Sequence, residues 1–254
     1  MNRMIDYPLL VFVFSLVTLR LSAQAGAYFR RRRQPENVDY DNLGIVLGAS
    51  LTMLALIIGF SFSMSVARYD QRKNSETTEA TAIGTEYVRA DLLPTVDAAR
   101  VHELLRNYLD QRILFYTTRE ESQLKQIEVS TTQLRTDLWS AVRGPAALPS
   151  TPLGVQIASG MNDVLNSQIY TQAAWLNRIP TASWALAAAI AISCNFLFGY
   201  SARETVKKVK HVFVLPLLVA IAFFLIADID SPRGGVIRVQ PQNLSLLYGS
   251  LHAP

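Results

Sequence analysis

The stretch "GFSFSMSVARYDQRKNSETTEA", residues 59–80, joins an apolar segment to a charged one without a helix-breaking residue. Gly59–Val66 has the composition of the last turns of a membrane helix, and the charged residues begin at Arg68. No glycine stands at the exit to cap the helix, and the next proline is Pro94. The sequence therefore predicts one helix that leaves the membrane and continues into water.

The uncharged segments of the chain mark the other membrane spans. No charge occurs in the 26 residues between Asp41 and Arg68, or in the 24 residues between Arg178 and Arg203. About 20 apolar residues cross the hydrocarbon core of a bilayer. We predict spans at Leu43–Val66 and Pro180–Ala202, and a shorter span at Val212–Ala227.

The apolar run near the N-terminus, within residues 7–33, allows two interpretations. Ala23-Gln24-Ala25 resembles the cleavage site of a signal peptide. The four arginines Arg30–Arg33 resist export and favour an uncleaved span, which we adopt.

The predicted fold is all-α: an integral membrane protein with four transmembrane helices and a helical extramembrane domain. Apolar residues spaced by three and four predict amphipathic helices in the central region. The predicted parts are residues 1–66 (spans one and two, basic loop 30–41), 67–178 (helical domain), 179–228 (spans three and four, basic loop 203–211) and 229–254 (tail).

Basic residues between the spans predict the orientation. Arg30–Arg33 lie between spans one and two, and Arg203, Lys207, Lys208 and Lys210 between spans three and four. The positive-inside rule makes this side cytoplasmic, so both termini and the helical domain would face outward. The net charge of +4 comes largely from these loops and predicts no nucleic-acid partner.

Span two carries two distinct faces. One is small throughout and predicts close helix packing, within the chain by preference and otherwise between copies; it comprises Gly44, Gly48, Thr52, Ala55 and Gly59. The other is polar, runs from lipid into water, and comprises Ser61, Ser65, Arg68, Arg72, Glu76 and Glu79. We expect a solvated face with modest ion pairs, and a water-lined path is the alternative.

Motifs of catalysis, nucleotide binding and metal binding do not occur in the sequence, so it predicts no enzyme, cofactor or metal site. Glu76 and Glu79 form a lone E-x-x-E, with Glu86 two turns further along the helix, and we interpret these carboxylates as a solvated face rather than as a cation site. Asp228 and Asp230 precede a Pro/Gly turn and suggest, in order, a cap, a hydrogen-bond anchor for the turn, or an ion site.

Several of these segments together resemble the bacterial bestrophin-like proteins. The resemblance begins with the apolar, glycine-containing span two and follows the order of the family's motifs over nearly the whole chain. The matching segments are Arg68-Tyr69-Asp70-x-Arg72, Glu79-Ala80-x-Ala82-Ile83-Gly84-Thr85, Leu92-Leu93-Pro94, Arg178-Ile179-Pro180 and Asp230-Ser231-Pro232-Arg233-Gly234-Gly235-Val236-Ile237.

The resemblance implies a homo-oligomer, with five copies favoured, in a bacterial inner membrane. Bestrophins are pentameric anion channels whose second helix lines a hydrophobic neck, for which Ile58 and Phe62 are the candidates here. Asp228 and Asp230 would lie near the family's calcium clasp, but the long acidic run of that clasp is absent. Bestrophins also keep both termini in the cytoplasm, in contrast to the orientation that the basic loops predict.

The sequence thus favours an ion channel of bestrophin type, with the pore lined by the second span. Arg68 and Arg72 at its mouth would favour an inorganic anion. The rival hypothesis is a non-conducting scaffold or sensor whose helical domain binds a partner. A membrane enzyme comes third and would need Glu76, Glu79, Asp228 and Asp230 to converge.

Overall fold

The computed structural model describes residues 7–33, 40–146, 152–202 and 213–252, and no strand occurs among them. The all-α prediction is confirmed. The helices, in chain order, are α1 (Pro8–Arg33), α2 (Tyr40–Arg89), α3 (Thr95–Thr117), α4 (Glu121–Ala146), α5 (Pro152–Leu176), α6 (Thr181–Ser201), α7 (Val214–Asp230) and α8 (Gln242–His252), with a 3-10 turn at Ala90–Leu92.

Helix α2 is a single helix of 50 residues, as the opening stretch predicts. It gives way to the 3-10 turn, which closes with a hydrogen bond from the Leu93 amide to the Ala90 carbonyl oxygen, 3.0 Å. Pro94 then precedes the first turn of α3, a position where its missing N–H costs no helical hydrogen bond. The long helix therefore ends just before Pro94, the first proline after the membrane exit.

Among the described residues, three segments are long and apolar enough to cross a membrane: Pro8–Arg32, Asn42–Leu92 and Pro152–Ser201, the last of which includes α6. Helix α7 is also apolar, but its 17 residues extend only about 25 Å at 1.5 Å per residue. The fourth span therefore stays a prediction. The second basic loop, residues 203–211, lies outside the described residues.

One compact unit, called here the membrane unit, comprises Met1–Tyr69 and Arg178–Arg238. Its core contains Leu19, Leu54, Ala187, Ala191, Cys194, Val219 and Phe223. Helices α1 and α6 approach most closely at two glycines, because a Cβ atom at Gly26 would overlap the carbonyl oxygen of Phe196, and one at Gly199 that of Ala23. Arg30 closes α6 by donating to the Ala202 carbonyl oxygen at 2.9 Å.

The other compact unit, called here the helical unit, comprises Asp70–Asn177 and Val239–Pro254. The apolar stripes that predicted its helices are buried, including Ile83 on α2, Leu138 on α4 and Met161 on α5. Helix α8 belongs to this unit, although the sequence indicated only a tail over residues 229–254. Residues 144–154, whose three prolines predict an irregular loop, fall partly outside the described residues.

Candidate functional site

The membrane half of α2 is scarcely covered by its own chain. Only 6% of its most apolar window is buried. At Gly44, Gly48 and Gly59, an added Cβ atom would have no described atom within 4 Å, and Thr52 and Ala55 are exposed as well. The expectation that this small face packs within the chain is therefore wrong. The glycines that allow close packing are Gly26 and Gly199, on other helices.

The two neck candidates lie one turn apart on α2. Ile58 is half-buried and packs against the core of the membrane unit, whereas Phe62 is 43% exposed. Between them Ser61 is half-buried. Ser65 is fully buried, and its hydroxyl donates to the carbonyl oxygen of Ser61 at 3.0 Å, with the Ile226 carbonyl oxygen at 3.4 Å. Of these four pore-lining candidates, Ser65 therefore has no surface left to face a pore.

The polar face of α2 beyond the membrane half is not solvated, in contrast to the sequence expectation. Arg72, Glu76 and Glu79 are 2%, 1% and 0% exposed. Arg68, in the membrane unit, is half-buried. Burial removes Arg72 from the predicted pore-lining set, because a side chain inside the helical unit cannot line a pore mouth. Arg68 remains a candidate.

Glu79 is the centre of a buried polar network that joins α2 to α3 and α5. The Arg112 guanidinium donates to both carboxylate oxygens, with Nη2 at 3.3 Å from Oε2. Tyr116 and Thr171 donate their hydroxyls to Oε2 at 3.4 Å and 3.1 Å. Burial and the Glu79 charge raise the pKa of Tyr116, so that its hydroxyl keeps the proton it donates. The network neutralises a charge that would otherwise be costly to bury.

Glu76 binds the first turn of α8. Its Oε1 accepts a hydrogen bond from the Leu244 amide at 2.9 Å, and its Oε2 accepts one from Asn243 Nδ2 at 2.7 Å. A carboxylate stabilises a helix N-terminus because the first amides of the helix have no intrahelical partner. The role of Glu76 is therefore structural. The two carboxylates of the E-x-x-E are buried rather than solvated: Glu76 binds α8, and Glu79 binds α3 and α5.

Glu86, the third carboxylate that the sequence predicted to be solvated, is instead buried. Its side chain is fully buried, and neither of its oxygens accepts a hydrogen bond. Arg89 Nη1 lies 3.8 Å from Oε2, one turn further along the helix. Gly160 of α5 packs against this pair, since a Cβ atom there would overlap the Glu86 carboxylate and the Arg89 guanidinium. Burial raises the pKa of Glu86 to about 7, with Arg89 opposing this rise and Asp163 adding to it.

The two carboxylates at the end of α7 hold the backbone around them. Asp228 accepts hydrogen bonds from the Val236 and Ile237 amides, each at 2.8 Å, and so anchors the Pro/Gly turn. Asp230 accepts from Arg178 Nε at 3.1 Å and from the Ile179 amide at 3.2 Å. Of the three roles suggested by the sequence, the hydrogen-bond anchor is the one that these contacts support. No group of three or more metal-ligating side chains occurs within the described ranges.

The comparison of sequences decides the family. A sequence profile of the bestrophin-like domain matches residues 12–244. The chain belongs to the bestrophin-like family. The resemblance that begins at span two and ends after α7 is thereby confirmed. No curated protein sequence matches this bestrophin-like chain.

Solved structures share the fold of the bestrophin-like chain at low sequence identity. A bacterial bestrophin homologue from Klebsiella pneumoniae aligns with a TM-score of 0.65 at 13% identity, over 94% of this chain and 96% of its own. One variant of that protein has a TM-score of 0.65 at 13% identity, over 94% of this chain and 97% of its own. Another variant aligns with a TM-score of 0.63 at 13% identity, over 99% of this chain and 96% of its own. Identities at this level establish a common fold and nothing further.

Proposed function

We propose that this bestrophin-like chain is a subunit of a homo-oligomeric anion channel whose pore is lined by the membrane half of α2. The observation that carries the proposal is the 6% burial of the apolar window of that helix. A helix so little covered by its own chain needs lipid or further copies of the chain around it. Copies related by a common axis would bring the same face of α2 together.

The side chains of α2 supply the parts that an anion pore needs. Ile58 and Phe62 would form a hydrophobic constriction, which gates by excluding water. Arg68, beyond this constriction, would favour anions over cations at the mouth. The small face from Gly44 to Gly59 would let the helix of a neighbouring copy approach closely.

The first test counts subunits of the full chain extracted in mild detergent, by native mass spectrometry. A closed ring of four or more copies, with five expected, supports the proposal. A monomer or dimer contradicts it, because no shared axis would then exist.

The second test measures ion flux through the full chain in liposomes. Phe62→Ala should raise the chloride conductance, because it widens the constriction. Phe60→Ala is the matched control, since Phe60 is 68% exposed on another side of the helix. Arg68→Glu should shift the reversal potential in a chloride gradient toward cation preference. Unchanged conductance in Phe62→Ala together with an unchanged reversal potential in Arg68→Glu would refute the pore assignment.

The rival function is a non-conducting scaffold or sensor. Its support is the presence of exposed apolar side chains in the helical unit: Val88, Leu92 and Val96 are 66%, 52% and 82% exposed. Such residues are suited to binding a partner protein. A monomeric or dimeric state together with absent conductance would favour this function over the channel.

The proposed location is a bacterial inner membrane, with the helical unit and both termini outside the cytoplasm. The support is the charge of residues 30–33 and of the loop at 203–211. Bestrophins have the opposite orientation, so the side on which the helical unit lies is a test of how far the resemblance extends.

A further inference from the structure

A polar groove runs between α2 and α5 in the helical unit. Its volume is about 450 Å³, within the range of small-molecule sites, about 300–1,000 Å³. The two helices are antiparallel, since Glu79 meets Thr171 and Glu86 meets Gly160. Exposed side chains form its walls, so a ligand in solution can reach them. They include Thr78, Thr81 and Thr85 of α2, and Asp163, Asn166 and Tyr170 of α5.

The walls of the groove offer mainly hydrogen-bond acceptors. Thr78 and Thr81 donate their hydroxyl protons to carbonyl oxygens of their own helix, each at 2.9 Å, which leaves the lone pairs of the hydroxyl oxygens available. Ser167 likewise donates to the Val164 carbonyl oxygen at 2.7 Å. Among the described residues, Asp163 forms no ion pair and accepts no hydrogen bond. A ligand that matches these groups must therefore carry donors.

The charges at the Gly160 end of the groove favour a cation. The charged groups around the buried Glu86 are Arg89 on its own helix, 3.8 Å away, and Asp163 on α5. With Glu86 ionised, two carboxylates face one guanidinium. Within the described ranges no group of three metal-ligating side chains includes Asp163. An organic ammonium, with its three N–H donors, therefore suits this carboxylate better than a metal ion.

The other end of the groove carries an aromatic ring. Tyr170 lies on the same face of α5 as Asp163, seven residues further along, which corresponds to about 10.5 Å. Its side chain is 65% exposed, and the face of a tyrosine ring attracts cations. Because α2 is antiparallel, Thr81 and Ala82 line the groove between these two ends and offer methyl groups. The groove thus combines two groups that attract cations with an apolar surface between them.

We propose that this groove binds a linear aliphatic polyamine, with one ammonium group on Asp163 and another over the ring of Tyr170. The hydroxyl oxygens of Thr78 and Thr81 would accept hydrogen bonds from the amine N–H groups. The methylene chain would lie along the methyl groups of α2. This binding site does not depend on whether the protein conducts ions.

The first test titrates the full chain in a non-ionic detergent with spermidine, by isothermal titration calorimetry. Asp163→Asn should lower the affinity about fivefold or more, the upper range for an exposed ion pair. Glu128→Gln is the matched control, because it removes one negative charge at an exposed position of α4 outside the groove. Equal affinities in the two variants would overturn the proposal. A wild-type protein that binds no spermidine, or that binds a neutral diol of similar length equally well, would overturn it too.

The second test concerns the aromatic end. Tyr170→Leu should lower the affinity for spermidine about threefold, the size expected for an exposed cation–π contact. Ile169→Ala is the control, because Ile169 is the preceding residue, is 46% exposed and does not line the groove. An equal loss in both variants, or no loss in either, would overturn the role of Tyr170.

The third test uses the buried charge beside the groove. Burial raises the pKa of Glu86 to about 7, so Glu86 gains its negative charge as the pH rises from 6 to 7.5. The affinity for spermidine should rise about twofold over this range, because a further negative charge lies near the bound cation. Glu86→Gln keeps the shape of the side chain and should remove this rise. The same rise in Glu86→Gln would overturn the electrostatic role of Glu86.

Discussion

Replacing the buried, hydrogen-bond-free Glu86 by glutamine should stabilise the protein at neutral and alkaline pH. Glutamine keeps the shape of the side chain and removes the negative charge that burial disfavours. The pKa of Glu86 rises from 4.5 to about 7 in the fold. Each pKa unit corresponds to about 1.36 kcal/mol, so a difference of about 2.5 units lowers the free energy of unfolding by about 3 kcal/mol at most.

The sign follows from proton binding. Between pH 4.5 and 7 the folded chain holds a proton that the unfolded chain releases, so the free energy of unfolding contributed by Glu86 falls as the pH rises. Below pH 4.5 Glu86 is protonated in both the folded and the unfolded chain. Above pH 7 it is ionised in both, and the decrease in the free energy of unfolding is complete. The stability difference between Glu86→Gln and wild type should therefore be small near pH 4.5 and largest near pH 8.

The assay is thermal unfolding of the full chain in detergent at pH values from 5 to 8.5, for wild type, Glu86→Gln and the control Glu128→Gln. Glu128 is exposed on α4, so its substitution should leave the pH profile unchanged. For a chain of this size 1 kcal/mol is about 2–4 °C in Tm, so Glu86→Gln should gain several degrees at pH 8. Parallel profiles for Glu86→Gln and wild type would refute the reasoning, and so would a destabilisation that grows with pH.

Three further predictions concern other contacts of the two units. Glu79→Ala should cost about 3–5 kcal/mol of stability, because it leaves the Arg112 guanidinium buried without its counter-charge, and a Tm equal to wild type would contradict this. Gly199→Ala should cost about 1–3 kcal/mol by pushing α6 away from α1, whereas Gly249→Ala, with open space around it, should not lower Tm. Ser130 is exposed on α4, so Ser130→Cys should react with a membrane-impermeant maleimide in spheroplasts if the helical unit lies outside. Labelling only after lysis would show the opposite orientation. The buried Cys194 should not react.

The helices could largely be predicted from the sequence because their signals are local. The continuity of α2 depends on the absence of a helix-ending residue between Gly59 and Arg89, and the amphipathic stripes of α4 and α5 depend on spacing alone. The end of the helix near Pro94 follows from the chemistry of proline.

The candidate site could be predicted only in part, because spacing identifies a common face without showing what covers it. Arg72, Glu76 and Glu79 share a face as predicted, but the partners of Glu76 and Glu79 come from α3, α5 and α8, far away in sequence. The small face of α2 was assigned to packing within the chain, while the contacts between α1 and α6 that require glycine are those of Gly26 with Phe196 and of Gly199 with Ala23. Helix α8 was missed although it is amphipathic, because a segment of eleven residues is marginal as an isolated helix and the group that holds its first turn, Glu76, is far away in sequence.

The buried carboxylates of α2 act on the torsional freedom of that helix. A twist of α2 about its axis would draw Glu79 away from Arg112 and Thr171, and Glu76 away from the amide of Leu244. Since breaking a buried ion pair costs about 3–5 kcal/mol, the network opposes rotation of α2 about its own axis. Within the helical unit, the azimuth of the side chains of α2 is thus fixed relative to α3, α5 and α8.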